Sequence, residues 1–200
     1  MSEYTEQNKE ILHGIEPRKD LINLPNLITM LRIFVIPVLF LLLLDPGKIL
    51  SLVIAGLFIL AAITDLIDGY LARKYNLVTK AGKILDPIAD KLIVSTAMIL
   101  MIPLGRIPAW IVAIVILRDI AIDGIRHVSI VGGTVIQASG LGKKKTLSQV
   151  IAISALLIHY PLFGLNAHLI GICTLYLALI LTLWSGMDYA IKFYRAFISG

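Results

Sequence analysis

Six apolar stretches, each close to the length of a bilayer crossing, dominate this 200-residue chain. They run over residues 24–44, 48–73, 82–103, 107–131, 146–163 and 167–193. A helix needs about 20 apolar residues to cross a bilayer. Turn residues punctuate the stretches: Asp45-Pro46-Gly47, the run from Pro103 to Pro108, Gly132-Gly133 and Pro161. The expected fold is all-α and integral to a membrane, with six transmembrane helices in one domain over residues 1–200. Hydrophobic residues make up 58% of the chain and charged residues 16%, with a mean hydropathy of +0.90. Those values exclude a disordered chain and fit an ordinary soluble globule poorly.

The ends and the charge add detail. Residues 1–20 mix charges of both signs and hold no apolar core of a signal peptide. Residues 4–16 are weakly amphipathic, which suits either a short interfacial helix before the first span or a frayed tail. The net charge of +5 is read as topology signals and anionic-lipid contacts, with no nucleic-acid partner, because no RNA-binding or zinc-finger pattern occurs. With six spans, Arg18, Lys19, Arg73, Lys74, the lysines at 143–145, Lys192 and Arg195 share one side. Lys48 and Arg106 fall on the other. That bias puts both termini in the cytoplasm. The single Cys173 excludes an intrachain disulfide and is expected to be a small packing residue.

The chemistry is concentrated in the second and third stretches. Asp65 and Asp68 are spaced i, i+3, and Asp86 and Asp90 i, i+4, so each pair shares a helix face. Charge inside a membrane span is costly and marks a functional site by default. At 1.5 Å per residue, both pairs lie roughly 8–14 Å below the basic turn that joins the two helices, at a common level. Four carboxylates there cannot all ionise unaided. One or two divalent cations would relieve the repulsion, and carboxylate oxygens suit hard ions such as Mg²⁺ or Mn²⁺. A proton or ion pathway, as in a cation-coupled transporter, is the rival reading, and protonated or salt-bridged structural acids a third. Gly69 and Gly82 permit close approach of a ligand or of another helix. Ala72 and Arg73 beside a metal cluster suit a phosphate-bearing ligand.

The string Asp65-x2-Asp68-Gly69-x2-Ala72-Arg73-x8-Gly82-x3-Asp86-x3-Asp90 resembles the signature of the CDP-alcohol phosphotransferases, with all eight positions at the family's spacing. The resemblance implies six spans, a homodimer, and a metal site that faces the cytoplasm. It implies a CDP-linked donor whose pyrophosphate lies on two metal ions, Mg²⁺ or Mn²⁺, and an acceptor hydroxyl that attacks the phosphorus bearing the lipid while CMP leaves. By matched position, Asp65, Asp68 and Asp86 are metal ligands. Asp90 is the general base and a further metal ligand. Gly69, Ala72, Arg73 and Gly82, with Asp65 and Asp68, are nucleotide-binding positions.

Flanking residues bear on the acceptor. The run Leu24-Pro25-Asn26-Leu27-Ile28-Thr29-x-x-Arg32, the Arg118–Asp119 and Gly124–Arg126 pieces, and the 138–149 segment resemble the phosphatidylglycerophosphate synthase branch. Two positions depart from that branch's pattern: Asp119 stands where it has glutamate, and Asp123-Gly124 where it has a small uncharged pair. This branch implies CDP-diacylglycerol as donor, sn-glycerol 3-phosphate as acceptor, and a bacterial inner membrane. Arg118 and Arg126, i, i+8 on one helix, and Lys143 and Lys145 are candidate ligands for the acceptor phosphate. A structural ion pair is the alternative for the arginines, and a solvated positive-inside anchor for the lysines. Asn26, Thr29 and Arg32 are possible substrate contacts, with a helix-start role as the alternative for Asn26. Another acceptor in the same family, inositol phosphate, inositol or serine, stays open. Gly142-Lys143-Lys144 fails the phosphate-loop pattern, because Ser or Thr does not follow Gly-Lys, and the histidines form no HExxH.

Overall fold

The computed structural model describes residues 24–74, 80–131 and 140–198. Within them, the side chains of residues 24–28, 65–74, 80–85, 130–131, 140–141, 143 and 197–198 lie outside the description. The described chain forms six helices: α1 (Leu24–Leu42), α2 (Lys48–Lys74), α3 (Lys80–Met101), α4 (Ala109–Val131), α5 (Gly140–Ile158) and α6 (Ala167–Ile198). Among the described residues there is no strand, only an isolated bridge between Leu162 and Leu165 in the last turn. The expected interfacial helix over residues 4–16 lies outside the described residues.

Five of the six helices follow the apolar stretches closely. The fifth differs: it was expected over residues 146–163, and α5 runs from Gly140 to Ile158. At its start the lysines belong to the first turns of the helix, and the Thr146 hydroxyl donates to the Gly142 carbonyl. Hydropathy does not register a helix whose first turns carry three lysines. At its end His159 takes a φ of 61°, which stops the helix before Tyr160.

The helices close a ring: α1 packs on α2 and α3, α2 on α5, α5 on α6, α6 on α4, and α4 on α3, with α3 also touching α5. Consecutive helices alternate in direction, so the two ends of the bundle collect different residues. The largest fully buried apolar side chains gather at one end. Leu39 comes from the end of α1 and Leu43 from just beyond it, Ile54 and Phe58 from the first half of α2, and Met98 and Met101 from the end of α3. Ile111 from the start of α4 and Ile153, Leu156 and Leu157 from the end of α5 complete that core. In that same half, α5 and α6 approach closely where Gly171 faces Leu156.

Arg106, in the α3–α4 turn, ties this end together and is only 3% exposed. It donates to the Leu157 carbonyl at 2.8 Å, to Ser51 Oγ at 2.9 Å and to the Pro46 carbonyl at 3.4 Å. The Tyr160 ring lies 5.9 Å from its guanidinium carbon. Burial holds the guanidinium below its usual pKa, with Tyr160 acting in the opposite sense.

The outer surface of the bundle is apolar. Phe34, Leu31, Leu60, Leu117, Trp184 and Met187 are all more than half exposed, on four helices. Cys173, expected to pack inside, is exposed on α6. Among the described residues, Ala167–Ala196 is the one helix long and apolar enough to cross a membrane by itself, while 29–42 and 48–64 are shorter apolar helices.

Candidate active site

The end of the bundle opposite the apolar core is built from polar residues. It receives the start of α1, the start of α3, the second half of α4, the start of α5 and the second half of α6. The α3 helix carries Asp86 and Asp90 one turn apart, as their spacing requires. Pro87 between them removes one backbone donor from that turn. Thr29 and Arg32 on α1 are 1% and 4% exposed, so α1 presents a polar corner to α3. The Thr29 hydroxyl donates to Asp86 Oδ1 at 2.5 Å. Arg32 and Asp90 line a small cavity together with Phe58, Ala61 and Ala62 of α2. Asp65 follows Ala61 by one turn of α2.

Asp90 also lines a much larger cavity of about 790 Å³, bounded by α3, α4, α5 and α6. Arg118, Arg126 and Lys145 line the same cavity. The candidate base and three of the four candidate phosphate ligands, drawn from three helices, thus border one space. Lys145 is 7% exposed, which does not fit a solvated anchor. Its ammonium donates to both carboxylate oxygens of Asp119, at 2.6 and 2.8 Å. Arg118 Nη1 donates to Asp119 Oδ1 at 2.9 Å, and Nη2 to Ser185 Oγ of α6 at 2.6 Å. One carboxylate therefore serves two cations, and the triad keeps a net positive charge. Arg118 Nε is buried and has no partner among the described residues. Arg126 is exposed, with its guanidinium carbon 5.9 Å from the centre of the Tyr189 ring.

The remaining expected site residues are described by their backbone alone. Asp65, Asp68, Gly69, Ala72 and Arg73 lie on α2, and Gly82 on α3, but their side chains lie outside the described residues, as do those of Asn26 and Lys143. Among the described residues no three metal-ligating side chains cluster. Asp188, on α6, pairs with Lys192 one turn on, at 2.7 Å.

Several cavity residues were not singled out from the sequence. Lys91 follows Asp90 and forms an ion pair with Asp123 of α4. A lysine within an apolar stretch is itself a costly residue, and that signal was available. Ser185 and Tyr189, one turn apart on α6, line the cavity on either side of Gly186. A methyl at 186 would meet Arg118, so this stripe of α6 is shaped to the arginine. Nothing in an α6 read alone identifies that partner.

The donor chemistry suits a hard divalent ion. Asp86 and Asp90 supply carboxylates on one face of α3, and Asp86 accepts from the Thr29 hydroxyl.

Comparison with known proteins places the chain in a family. The family model described as CDP-alcohol phosphatidyltransferase matches residues 22–184. A Bacillus subtilis protein named CDP-diacylglycerol–glycerol-3-phosphate 3-phosphatidyltransferase is 43% identical, over 87% of this chain and 96% of its own. A Rickettsia typhi protein of the same name is 38% identical, over 84% of this chain and 94% of its own. A Mycobacterium tuberculosis protein named probable phosphatidylglycerophosphate synthase is 34% identical, over 90% and 86% respectively. By the extent of these matches, the chain belongs to the CDP-alcohol phosphatidyltransferase family.

Proposed function

We propose that the large cavity holds sn-glycerol 3-phosphate beside Asp90, and that the chain transfers a phosphatidyl group to it from CDP-diacylglycerol. The products are phosphatidylglycerophosphate and CMP. The observation that carries the reading is the shared cavity, where Asp90 meets Arg118, Arg126 and Lys145. A phosphomonoester needs several cationic donors, and a reacting hydroxyl needs a nearby base.

In this reading Arg118, Arg126 and Lys145, with Lys143, bind the acceptor phosphate. Asp90 takes the proton from the acceptor hydroxyl as that oxygen bonds to the lipid-bearing phosphorus. The bond from that phosphorus to the bridging oxygen breaks, and CMP leaves with the electron pair. Asp119 keeps Lys145 and Arg118 oriented toward the cavity. Gly69, Ala72, Arg73 and Gly82 hold the nucleotide, and Asn26, Thr29 and Arg32 border it. Asp65, Asp68, Asp86 and Asp90 would hold Mg²⁺ or Mn²⁺, two ions in all. When bound, such ions neutralise the donor's pyrophosphate and stabilise the leaving group.

The same reading makes all six helices membrane spans of a single domain, with the termini and the active site on the cytoplasmic side of a bacterial inner membrane. The apolar exterior supports it, because such a surface on several helices suits lipid better than water. At 1.5 Å per residue α6 is about 48 Å long, more than a hydrocarbon core of about 30 Å. The donor's acyl chains then enter from lipid and the acceptor from the cytoplasm. A second copy of the chain completes a homodimer in this proposal.

The test is CMP release by the purified protein with CDP-diacylglycerol and each of four acceptors: glycerol 3-phosphate, inositol phosphate, inositol and serine. Release with glycerol 3-phosphate alone is expected. Release with another acceptor would retain the aspartate chemistry and discard the acceptor. Ion flux without CMP release would point to a transporter.

A further inference from the structure

We propose that Lys91 is an additional ligand for the acceptor's phosphate, held by Asp123 until the acceptor arrives. This rests on the acceptor cavity described above and deepens it. Lys91 lies on α3 directly after the candidate base, and its ammonium pairs with the Asp123 carboxylate of α4 across the helix boundary. Both residues line the cavity.

The two ion-pair systems in this cavity differ in exposure. The side chains of Lys91 and Asp123 are 36% and 34% exposed. Those of Lys145 and Asp119 are 9% and 19% exposed. A pair about one-third exposed is screened and exchanges partners at little cost. A more buried pair costs far more to break, because one charge is left uncompensated. An entering dianion therefore takes Lys91 from Asp123 more easily than it takes Lys145 from Asp119. In this way Lys145 and Arg118, held by Asp119, form a fixed positive floor, while Asp123 keeps a movable cation near the entering phosphate. Because Lys91 and Asp90 are neighbours on α3, the same phosphate contact brings the acceptor toward the base. Asp123 is a positioning residue, acting through Lys91.

The experiment measures CMP release and varies glycerol 3-phosphate and CDP-diacylglycerol separately, with inorganic phosphate as a competing anion. Lys91→Gln is expected to raise the KM for glycerol 3-phosphate on the order of tenfold, the scale of one lost charge-assisted hydrogen bond. Inhibition by inorganic phosphate should weaken in parallel, while the KM for CDP-diacylglycerol stays unchanged. Lys91→Arg should restore most of the acceptor KM. Asp123→Asn should lower the acceptor KM by about two- to threefold, since a competing, partly exposed carboxylate is removed. Arg118→Ala, run alongside, separates the two levels. If it raises the acceptor KM while Lys91→Gln does not, the role of Lys91 is overturned and the cavity assignment stands. If neither moves it, the cavity assignment itself falls. Equal losses of thermal stability in Lys91→Gln and Asp123→Asn, with no change in acceptor KM, would make the pair a helix-to-helix tie and overturn the proposal. A rise in acceptor KM for Asp123→Asn would overturn the release step.

Discussion

Gly186 of α6 faces Arg118 of α4 so closely that a methyl group at 186 would lie 3.0 Å from Arg118 Nε and 3.4 Å from its Cγ. The guanidinium is already held at both ends, by Asp119 on its own helix and by Ser185 on α6. The absence of a side chain at 186 is what lets the arginine lie along α6 and reach the cavity.

Gly186→Ala should therefore shift Arg118 by a few tenths of an ångström and strain its bond to Ser185. The expected result is a rise in KM for glycerol 3-phosphate of about fivefold, equivalent to loss of one ordinary hydrogen bond of ~1 kcal/mol. Stability should hold, because alanine is the better helix former. Steady-state kinetics and a thermal melt of the same preparation check both halves.

Gly171 makes a different kind of contact. An added Cβ would lie 2.7 Å from Leu156 Cγ and 3.0 Å from the Leu156 backbone nitrogen. A backbone atom cannot rotate away, so α5 and α6 must separate. Gly171→Ala should destabilise the protein by about 1–3 kcal/mol, the usual cost of overpacking. The measurement is the thermal midpoint in detergent, which should fall.

Asp90→Asn removes the base while retaining the shape of the side chain. Turnover should drop by roughly 10²- to 10⁴-fold, the usual contribution of a general base. Binding of CDP-diacylglycerol, followed by titration, should largely survive. Turnover near the wild-type level would remove Asp90 from that role.

Treatment with EDTA should abolish CMP release, and addition of Mg²⁺ or Mn²⁺ should restore it. Activity that persists after thorough chelation would exclude the aspartates as holders of an essential metal.

Arg106 lies at the far end of the bundle from the site, and its replacement tests the fold alone. Arg106→Met leaves the Leu157 carbonyl without its side-chain donor and removes the guanidinium from Ser51 Oγ and the Pro46 carbonyl, which keep only their own 3.5 Å bond. A loss of about 1–3 kcal/mol in stability is expected for buried groups left unpaired. The acceptor KM of the folded fraction should stay at the wild-type value.

Much of this molecule is legible in its residues. Long apolar stretches separated by proline and glycine turns specify helices, and five of the six observed helices follow them closely. The spacing of Asp86 and Asp90 alone puts them on one face of α3. The cost of charge in an apolar segment marks Arg118 and the aspartates without reference to packing. These are local properties: helix periodicity and the solvation of single residues do not depend on which helix lies alongside.

The tertiary structure decided which charges meet. Lys145 sits in a lysine run that reads as a surface anchor, yet α5 begins early enough to bury it against Asp119 of α4. Lys91 gains its meaning from Asp123, and Gly186 from Arg118, each on a different helix. An ion pair between helices depends on their relative rotation and depth, and packing of the whole ring sets both. The residues therefore determine the helices and the cost of each charge by themselves, whereas only the assembled bundle determines how those charges are compensated.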